Sequence, residues 1–220
     1  MARPVSFWPL FDLVVRTPRL ELRLPHEDEF AALIELADRG IHDPETMPFF
    51  VPWTDLPTAQ RAVSSAQYLW SHRANWSVDK WTFTGTAFVD GSPIGMQDLE
   101  ATNFRITRSV ESGSWLGRAF QGRGLGREMR EAMLHLAFAG LAAEEALSGA
   151  FEDNDASIAT SRSIGYRENG ESRMRRRDEC ARTIRFRLDR ATWESRRRDD
   201  VEIVGLDSCL HMFVGPTLAG

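Results

Sequence analysis

Lysine is nearly absent from this 220-residue sequence: of its 27 basic side chains only Lys80 is a lysine. Acidic residues outnumber basic ones, 32 to 27, for a formal net charge of −5. Such a chain has no global attraction for nucleic acid or for an anionic membrane surface. The arginine skew reads as a genomic habit rather than a binding signal. Cysteine is scarce too: Cys180 and Cys209 have no metal-ligand spacing and make no disulfide framework. Long apolar runs are missing, and the longest, residues 136–143, falls far short of the roughly 20 residues that a membrane helix needs. The opening MARPVSFWPLFDL is broken by Pro4 and Pro9 and makes a poor signal peptide. No repeat or low-complexity segment is present. These absences lead to the expectation of a cytoplasmic protein with no metal, no nucleic acid and no membrane among its partners.

What is present suits one globular domain with a sizeable core, since 42% of residues are hydrophobic and 27% charged. RLELRL (19–24) alternates strictly, so Leu20, Leu22 and Leu24 share the buried face of a strand. Pro25 ends it, and the acidic Glu27-Asp28-Glu29 opens a helix that Gly40 closes. Four prolines between Pro44 and Pro57 demand an irregular loop, followed by a helix from 58 to about 74. Residues 81–101 read as two strands joined at Asp90-Gly91, and SVESGSWLGRAF (109–120) as a third. A helix over 124–139 carries Leu125, Met129, Met133 and Leu136 at helical spacing. A strand (146–151), a helix (154–164) capped by Gly165 and an alternating strand, RTIRFRLD, complete the order. The pattern predicts an α/β chain: a mixed, mostly antiparallel central sheet flanked by helices. The domain is expected over 16–199, with an N-terminal extension (1–15) and a C-terminal one (200–220).

The densest signal is SWLGRAFQGRGLGREM (114–129), which holds three glycines in five residues ahead of a helical pattern. Glycine loses the most backbone freedom on ordering, so alternating glycines need a reason. A tight turn would use one. A dinucleotide fingerprint needs G-x-G-x-x-G after the first strand of a parallel unit, and a Walker loop needs Gly-Lys-Ser/Thr. Gly122, Gly124 and Gly126, in mid-chain behind antiparallel hairpins, fit neither. They fit a pyrophosphate cradle at a helix N-terminus, where bare N–H groups face the anion and the dipole favours its charge. Arg118, Arg123 and Arg127 stand near enough to add charge.

Gln121-Gly122-Arg123-Gly124-Leu125-Gly126 resembles the Q/R-x-x-G-x-G/A motif of the GNAT acyltransferases. ESGSWLG (111–117) is similar to the preceding strand of that superfamily's Rim-type subgroup, which acylates protein N-termini and small amines. Asn154-x-x-Ser157, Ile164-Gly165-Tyr166 and the opening Thr17-Pro18-Arg19-Leu20 resemble further motifs of the subgroup, in the same order. The resemblance covers about 16–188. It implies a GNAT fold with splayed central strands and an acyl-CoA donor. The acceptor is a primary amine (protein N-terminus, lysine or small molecule) that attacks directly in a ternary complex. WPLFDL, HDP-x-x-MPF-x-VPWT and ESGSWLG also resemble an actinobacterial offshoot with proposed succinyl-CoA users. Acetyl-CoA is therefore the expected donor and succinyl-CoA the alternative, with Arg105 and Arg108 as available charges.

Carried over residue by residue, the resemblance assigns coenzyme A contacts to Leu116, Gly117, Arg118, Gln121, Gly122, Arg123, Gly124, Leu125, Gly126, Arg127 and Asn154. A bulged strand around 116–118 pairs with pantetheine, and one of its N–H groups polarises the thioester carbonyl. The tyrosine that many GNAT enzymes carry seven residues after the asparagine is Ser161 here, and Rim-type relatives use the serine at the place of Ser157 as acid for the leaving thiolate. Asn154 caps its helix, bonds pantetheine, or does both. A glutamate found in some relatives falls near Asn169, so the base is sought in Glu111, then in Asp98 and Glu100. His42, Phe49, Phe50 and Trp53, in the proline-rich loop, line the acceptor pocket or pack beneath the loop. Direct attack needs no covalent nucleophile, which leaves both cysteines structural. The arginines of 173–177 and 196–198 read as a solvated face. The apolar VEIVGLD and HMFVG near the C-terminus need cover, from an added strand or from a second copy in a homo-oligomer. Two rivals keep the cradle: a non-catalytic acyl-CoA sensor, and a resistance enzyme that modifies one antibiotic.

Overall fold

Nine strands make one sheet in residues 7–215, the part of the chain that the computed structural model describes. Pro4 and the last residues of the C-terminal extension, 216–220, lie outside the described residues. In chain order the strands are β1 (Val14–Arg16), β2 (Glu21–Arg23), β3 (Lys80–Val89), β4 (Ser92–Thr102), β5 (Ser109–Leu116), β6 (Glu145–Phe151), β7 (Arg167–Arg176), β8 (Glu179–Asp189) and β9 (Glu202–Val204). The helices are α1 (Glu27–Asp38), α2 (Thr58–Ala74), α3 (Phe104–Thr107), α4 (Leu125–His135), α5 (Asp155–Ile164), α6 (Arg190–Glu194) and α7 (Leu206–Val214). Across the sheet the order is β7-β8-β6-β5-β4-β3-β2-β1-β9, and only β5 and β6 pair in parallel.

Local chemistry explains the turns. Asp90 and Gly91, at φ 48° and 75°, form the two-residue link between Val89 and its partner Ser92, and only residues at ease with positive φ twist the hairpin correctly. Gly165, at φ 114°, ends α5 where a side chain would be strained. Leu20, Leu22 and Leu24 are all buried, as the alternation requires. Helix α2 occupies the predicted residues, whereas α4 runs into a π-helical turn at Leu136–Gly140.

Helices cover both faces. On one, Phe30, Leu33 and Leu36 of α1 and Leu69 of α2 pack over Met96 of β4. On the other, α4 lies so close that a Cβ at Gly85 would meet the Met133 Cε at 2.6 Å. That face holds the main core, with Phe83, Leu99, Phe138 and Phe186 among its fully buried members.

Strands β1 and β7 and helices α6 and α7 go beyond the sequence pattern, while β9 is the added-strand alternative for VEIVGLD. Strand β9 pairs antiparallel with β1, Val15 facing Ile203, and α7 buries Cys209 and Phe213 completely. Phe213 meets Trp81 edge-on at 4.9 Å, and the Trp81 indole N–H donates to its carbonyl at 3.2 Å. Among the described residues, the C-terminal apolar side chains are thus covered from within the chain, by an added strand and a helix.

Candidate active site

Strands β5 and β6 stay together for three pairs, ending at Glu111 beside Leu147. Past that point they part, while β5 keeps register with β4 as far as Leu116 opposite Gly95. The β6-facing edge of β5 therefore has no strand partner over 112–116, a vacancy that suits an extended ligand chain. The bulge expected around 116–118 is not there. Leu116 ends β5 and Arg118–Phe120 coils as a 3-10 turn, so the opening comes from divergence and not from an extra residue.

The glycine run stands at the mouth of this opening. Gly122 and Gly124 sit at φ 72° and 77°, where other residues are strained. Gly126 is helical, and a Cβ there would meet only Leu116 Cδ2, at 3.9 Å. Its bareness keeps the first turn of α4 uncrowded. No side chain caps this helix, so its leading N–H groups remain available to an anion. The exposed Arg118 and Arg123 flank the turn, and Arg127 is tied to Glu131 at 2.8 Å. The side chains of Gln121 and Leu116 have other work. Gln121 Nε2 donates to the carbonyls of Ile41 and Leu116, both at 2.7 Å, and Leu116 is buried beside Leu125 in the core. At Gly117 a Cβ would meet Leu36 Cδ1 at 2.6 Å, so glycine lets the turn lie against α1.

The opening motif Thr17-Pro18-Arg19 acquires a physical role here. Glu128, in the first turn of α4, accepts from Thr17 Oγ1 at 2.6 Å and from Arg19 Nε at 2.7 Å. Burial would raise the Glu128 pKa, but these hydrogen bonds and the charges of Arg19 and Arg198 hold it below its ordinary value. The N-terminal link is thereby bolted to the helix that carries the cradle.

On α5, Asn154 is the N-cap, its Oδ1 accepting from the Ser157 N–H at 3.2 Å. Ser157 is half-buried. Ser161 is fully buried and accepts from Arg130 Nη1 at 2.8 Å. Arg130 also reaches Ser114 Oγ at 3.3 Å, and it is 5% exposed with no partner for its Nε. Among the described residues no carboxylate pairs with this guanidinium. Ser112 Oγ and Tyr166 Oη are buried close by, where burial raises the Tyr166 pKa against the opposing effects of Arg130 and of the Ser112 hydroxyl. A buried polar cluster around Arg130 thus lies beneath the parting strands, unannounced by any pattern in the sequence. Arg105 and Arg108 sit elsewhere. Arg108 donates to the Leu141 carbonyl at 3.3 Å and lies over Phe104, and Arg105 rests near Gly215.

The opposite face carries the aromatic loop. Trp53 packs on Trp115 of β5 (ring centres 5.8 Å apart), and Phe50 packs on Phe151 of β6 (5.3 Å). The loop therefore straddles the parted strands. Phe49 bridges Trp53 and His42, while both ring nitrogens of His42 bond within the loop, to Asp43 O and Thr54 Oγ1 at 2.8 Å each. Arg177, at the β7–β8 turn, clamps the loop through Asp55 at 2.8 Å and the Pro44 carbonyl at 2.9 Å. Its neighbours Arg175 and Arg176 pair with Asp178 and Asp153, as a solvated face would.

Beneath the loop and α2 lie three carboxylates. Cross-strand register puts Asp98 beside Gly113 and Glu100 beside Glu111 on one face of β4 and β5. Tyr68 Oη donates to Asp98 Oδ2 at 2.6 Å. Burial pushes the Asp98 carboxyl up to about 7, the Tyr68 hydrogen bond opposes that rise, and Glu100 adds to it. Glu100 is itself raised by burial and by Glu111. Glu111 has a counter-ion, Arg185 Nη2 at 3.4 Å. The one signal for this arrangement was Gly113 itself, a glycine inside a strand. No three histidine, cysteine or carboxylate side chains among the described residues converge as a metal site, and none of the described helices is long and apolar enough to cross a membrane.

A mixed sheet parted between two parallel strands, with an uncapped glycine-rich helix start at the parting, defines an α/β transferase of the coenzyme-binding kind. The chain belongs to the acetyltransferase (GNAT) domain family, whose model matches residues 19–167. Among solved structures it is similar to Mycobacterium smegmatis RimJ in complex with CoA-disulfide, with TM-score 0.70 and 17% identity over 92% of this chain and 95% of that one. RimL, a ribosomal L7/L12 alpha-N-protein acetyltransferase in complex with coenzyme A, superposes with TM-score 0.64 at 18% identity, over 80% of this chain and 97% of its own. The microcin C7 self-immunity acetyltransferase MccE, bound to acetyl-CoA and AMP, gives 0.61 at 13% identity, over 78% and 93%. At such identities the likeness is one of fold.

Proposed function

We propose that the chain transfers an acetyl group from acetyl-CoA to a primary amine of a protein N-terminus, a lysine or a small molecule, by direct attack in a ternary complex in the cytoplasm. The observation that carries this reading is the uncapped, glycine-lined start of α4 at the mouth of the parted strands. In it, the N–H groups of 122–127 hold the pyrophosphate with help from Arg118, Arg123 and Arg127, and pantetheine lies along the free edge of β5. A β5 N–H polarises the thioester carbonyl, Asn154 orients the arm, and Ser157 supplies the proton that the leaving thiolate takes up. Phe49, Phe50, Trp53 and His42 frame the acceptor's approach, and Glu111 marks its anionic floor. Residues 16–199 are the catalytic unit.

One observation favours a second donor. Burying a guanidinium without a counter-ion costs several kcal/mol, and Arg130 is so buried, beside Ser112 and Tyr166. An acyl chain ending in a carboxylate, as in succinyl-CoA, would supply that counter-ion. Two experiments test these readings. Coenzyme A titrated by calorimetry should bind the wild type, and Gly124→Asp, which puts bulk and negative charge in the cradle, should lower affinity by orders of magnitude; unchanged affinity in a folded variant overturns the cradle. Thiol release from acetyl-CoA and succinyl-CoA in competition, over a panel of peptides and amines, ranks the donors. Coenzyme A binding without release for any acceptor would instead describe a sensor.

A further inference from the structure

The notch over Gly113 is the most suggestive unassigned feature of the molecule. Gly113 is exposed, and nothing lies within 4 Å of the place its Cβ would occupy. Register sets Asp98 directly beside it on the same face, with Glu111 and Trp115 two residues away on either side along β5. The notch is thus floored by backbone, walled by an indole and by two carboxylates, and placed two residues past the point where β5 leaves β6. Asp98 is built in. Tyr68 Oη holds its Oδ2 at 2.6 Å, while its Oδ1 is buried and has no partner. Tyr68 in turn carries His72 edge-on at 4.4 Å.

We propose that the acceptor amine enters this notch and that Asp98, rather than Glu111, takes its proton, with Tyr68 as the positioning residue. The inference rests on the acyltransferase reading above and deepens it. The acceptor arrives as an ammonium ion. One N–H proton passes to the Asp98 carboxylate, leaving the nitrogen lone pair free. That pair forms the C–N bond at the thioester carbonyl carbon, and the C–S bond breaks with its electrons on sulfur. The nitrogen's second proton ends on the thiolate, giving amide and free thiol, and Asp98 returns its own proton to water. Other titratable groups set the field. His72 comes from α2, Lys80 from β3, Glu100 from β4, and Glu111 from β5 with Arg185 of β8 upon it. Glu111 is engaged by that arginine and attracts the cation, whereas Asp98 has an oxygen to spare.

The test is steady-state turnover of acetyl-CoA with a peptide carrying a free α-amino group, read against pH, with coenzyme A affinity measured on each variant. A wild type that binds coenzyme A and turns over no amine refutes the transferase reading itself. If the wild type is active, kcat/KM should rise with pH through a limb near 7 as Asp98 ionises. Asp98→Asn should lower kcat about 100-fold or more and abolish the limb, with coenzyme A affinity unchanged. Tyr68→Phe removes a hydrogen bond that favours the carboxylate, so its limb should move to higher pH. Gly113→Val, which fills the notch, should raise the acceptor KM and spare coenzyme A binding. Glu111→Gln should raise acceptor KM and keep the limb. An Asp98→Asn enzyme within about threefold of wild type, or a limb lost in Glu111→Gln instead, overturns the assignment. Should Asp98→Asn not fold, an unmoved limb in Tyr68→Phe overturns it equally.

Discussion

Glu128→Gln is the sharpest test of how the chain supports its cradle. Glu128 is 2% exposed, accepts from Thr17 Oγ1 at 2.6 Å and Arg19 Nε at 2.7 Å, and has Arg198 Nη1 at 3.9 Å. A hydrogen bond to a charged group is worth about 1.5–3 kcal/mol, and breaking a buried ion pair costs about 3–5 kcal/mol. The Arg19 side chain is 50% exposed and regains water when its partner goes. The loss should therefore lie low in those ranges, about 2–3 kcal/mol. The sign of its pH dependence is fixed by the lowered pKa of Glu128. A carboxylate depressed by folding stabilises the protein above its unfolded pKa, and that contribution disappears as pH falls through the folded value. Urea unfolding at pH 7 should thus show the full gap between wild type and variant, at equal m-value, and the gap should close progressively as pH falls below the ordinary glutamate value of 4.5. Coenzyme A affinity should weaken together with stability, because the same turn of α4 carries both. A gap below about 0.5 kcal/mol at pH 7, or one that persists unchanged into acid, would refute the reasoning.

Ser157→Ala should lower kcat with little change in coenzyme A affinity, and equal losses in both would mark Ser157 as a packing residue. Gly205→Ala drives a Cβ into the Asp12 carbonyl at a residue of φ 77°, so β9 and α7 must shift. A loss of at least about 2 kcal/mol, roughly 4–8 °C in Tm, is expected, and an unchanged Tm would show the C-terminal segment to be loosely docked. Burial pushes the Cys209 thiol up to about 12, while Cys180 is exposed. Ellman's reagent should therefore find one reactive thiol per native chain at neutral pH and two in urea; two in the native protein would contradict the burial of α7.

Gly122 and Gly124 were readable from the sequence because their requirement is local: positive φ at alternate residues ahead of a helix is a demand on single residues. The same holds for the Asp90-Gly91 hairpin, for the Asn154 cap and for the buried leucines of 20–24, each decided within a few neighbours. The three residues of β1 offer no such period, and which strands flank it, β2 and β9, emerged only from the assembled sheet, with 187 residues between Val15 and Ile203 along the chain. The site divides along the same line. The sequence alone determined that bare backbone meets a helix start at 122–126, since dihedral preference and helix dipole are properties of the local chain. Tertiary structure alone decided that Asp98 borders the Gly113 notch under Tyr68, that Arg130 is buried without a counter-ion, and that Arg177 clamps the loop of 41–57. Those facts depend on desolvation and on charges brought together from distant segments, and neither quantity exists until the sheet is assembled.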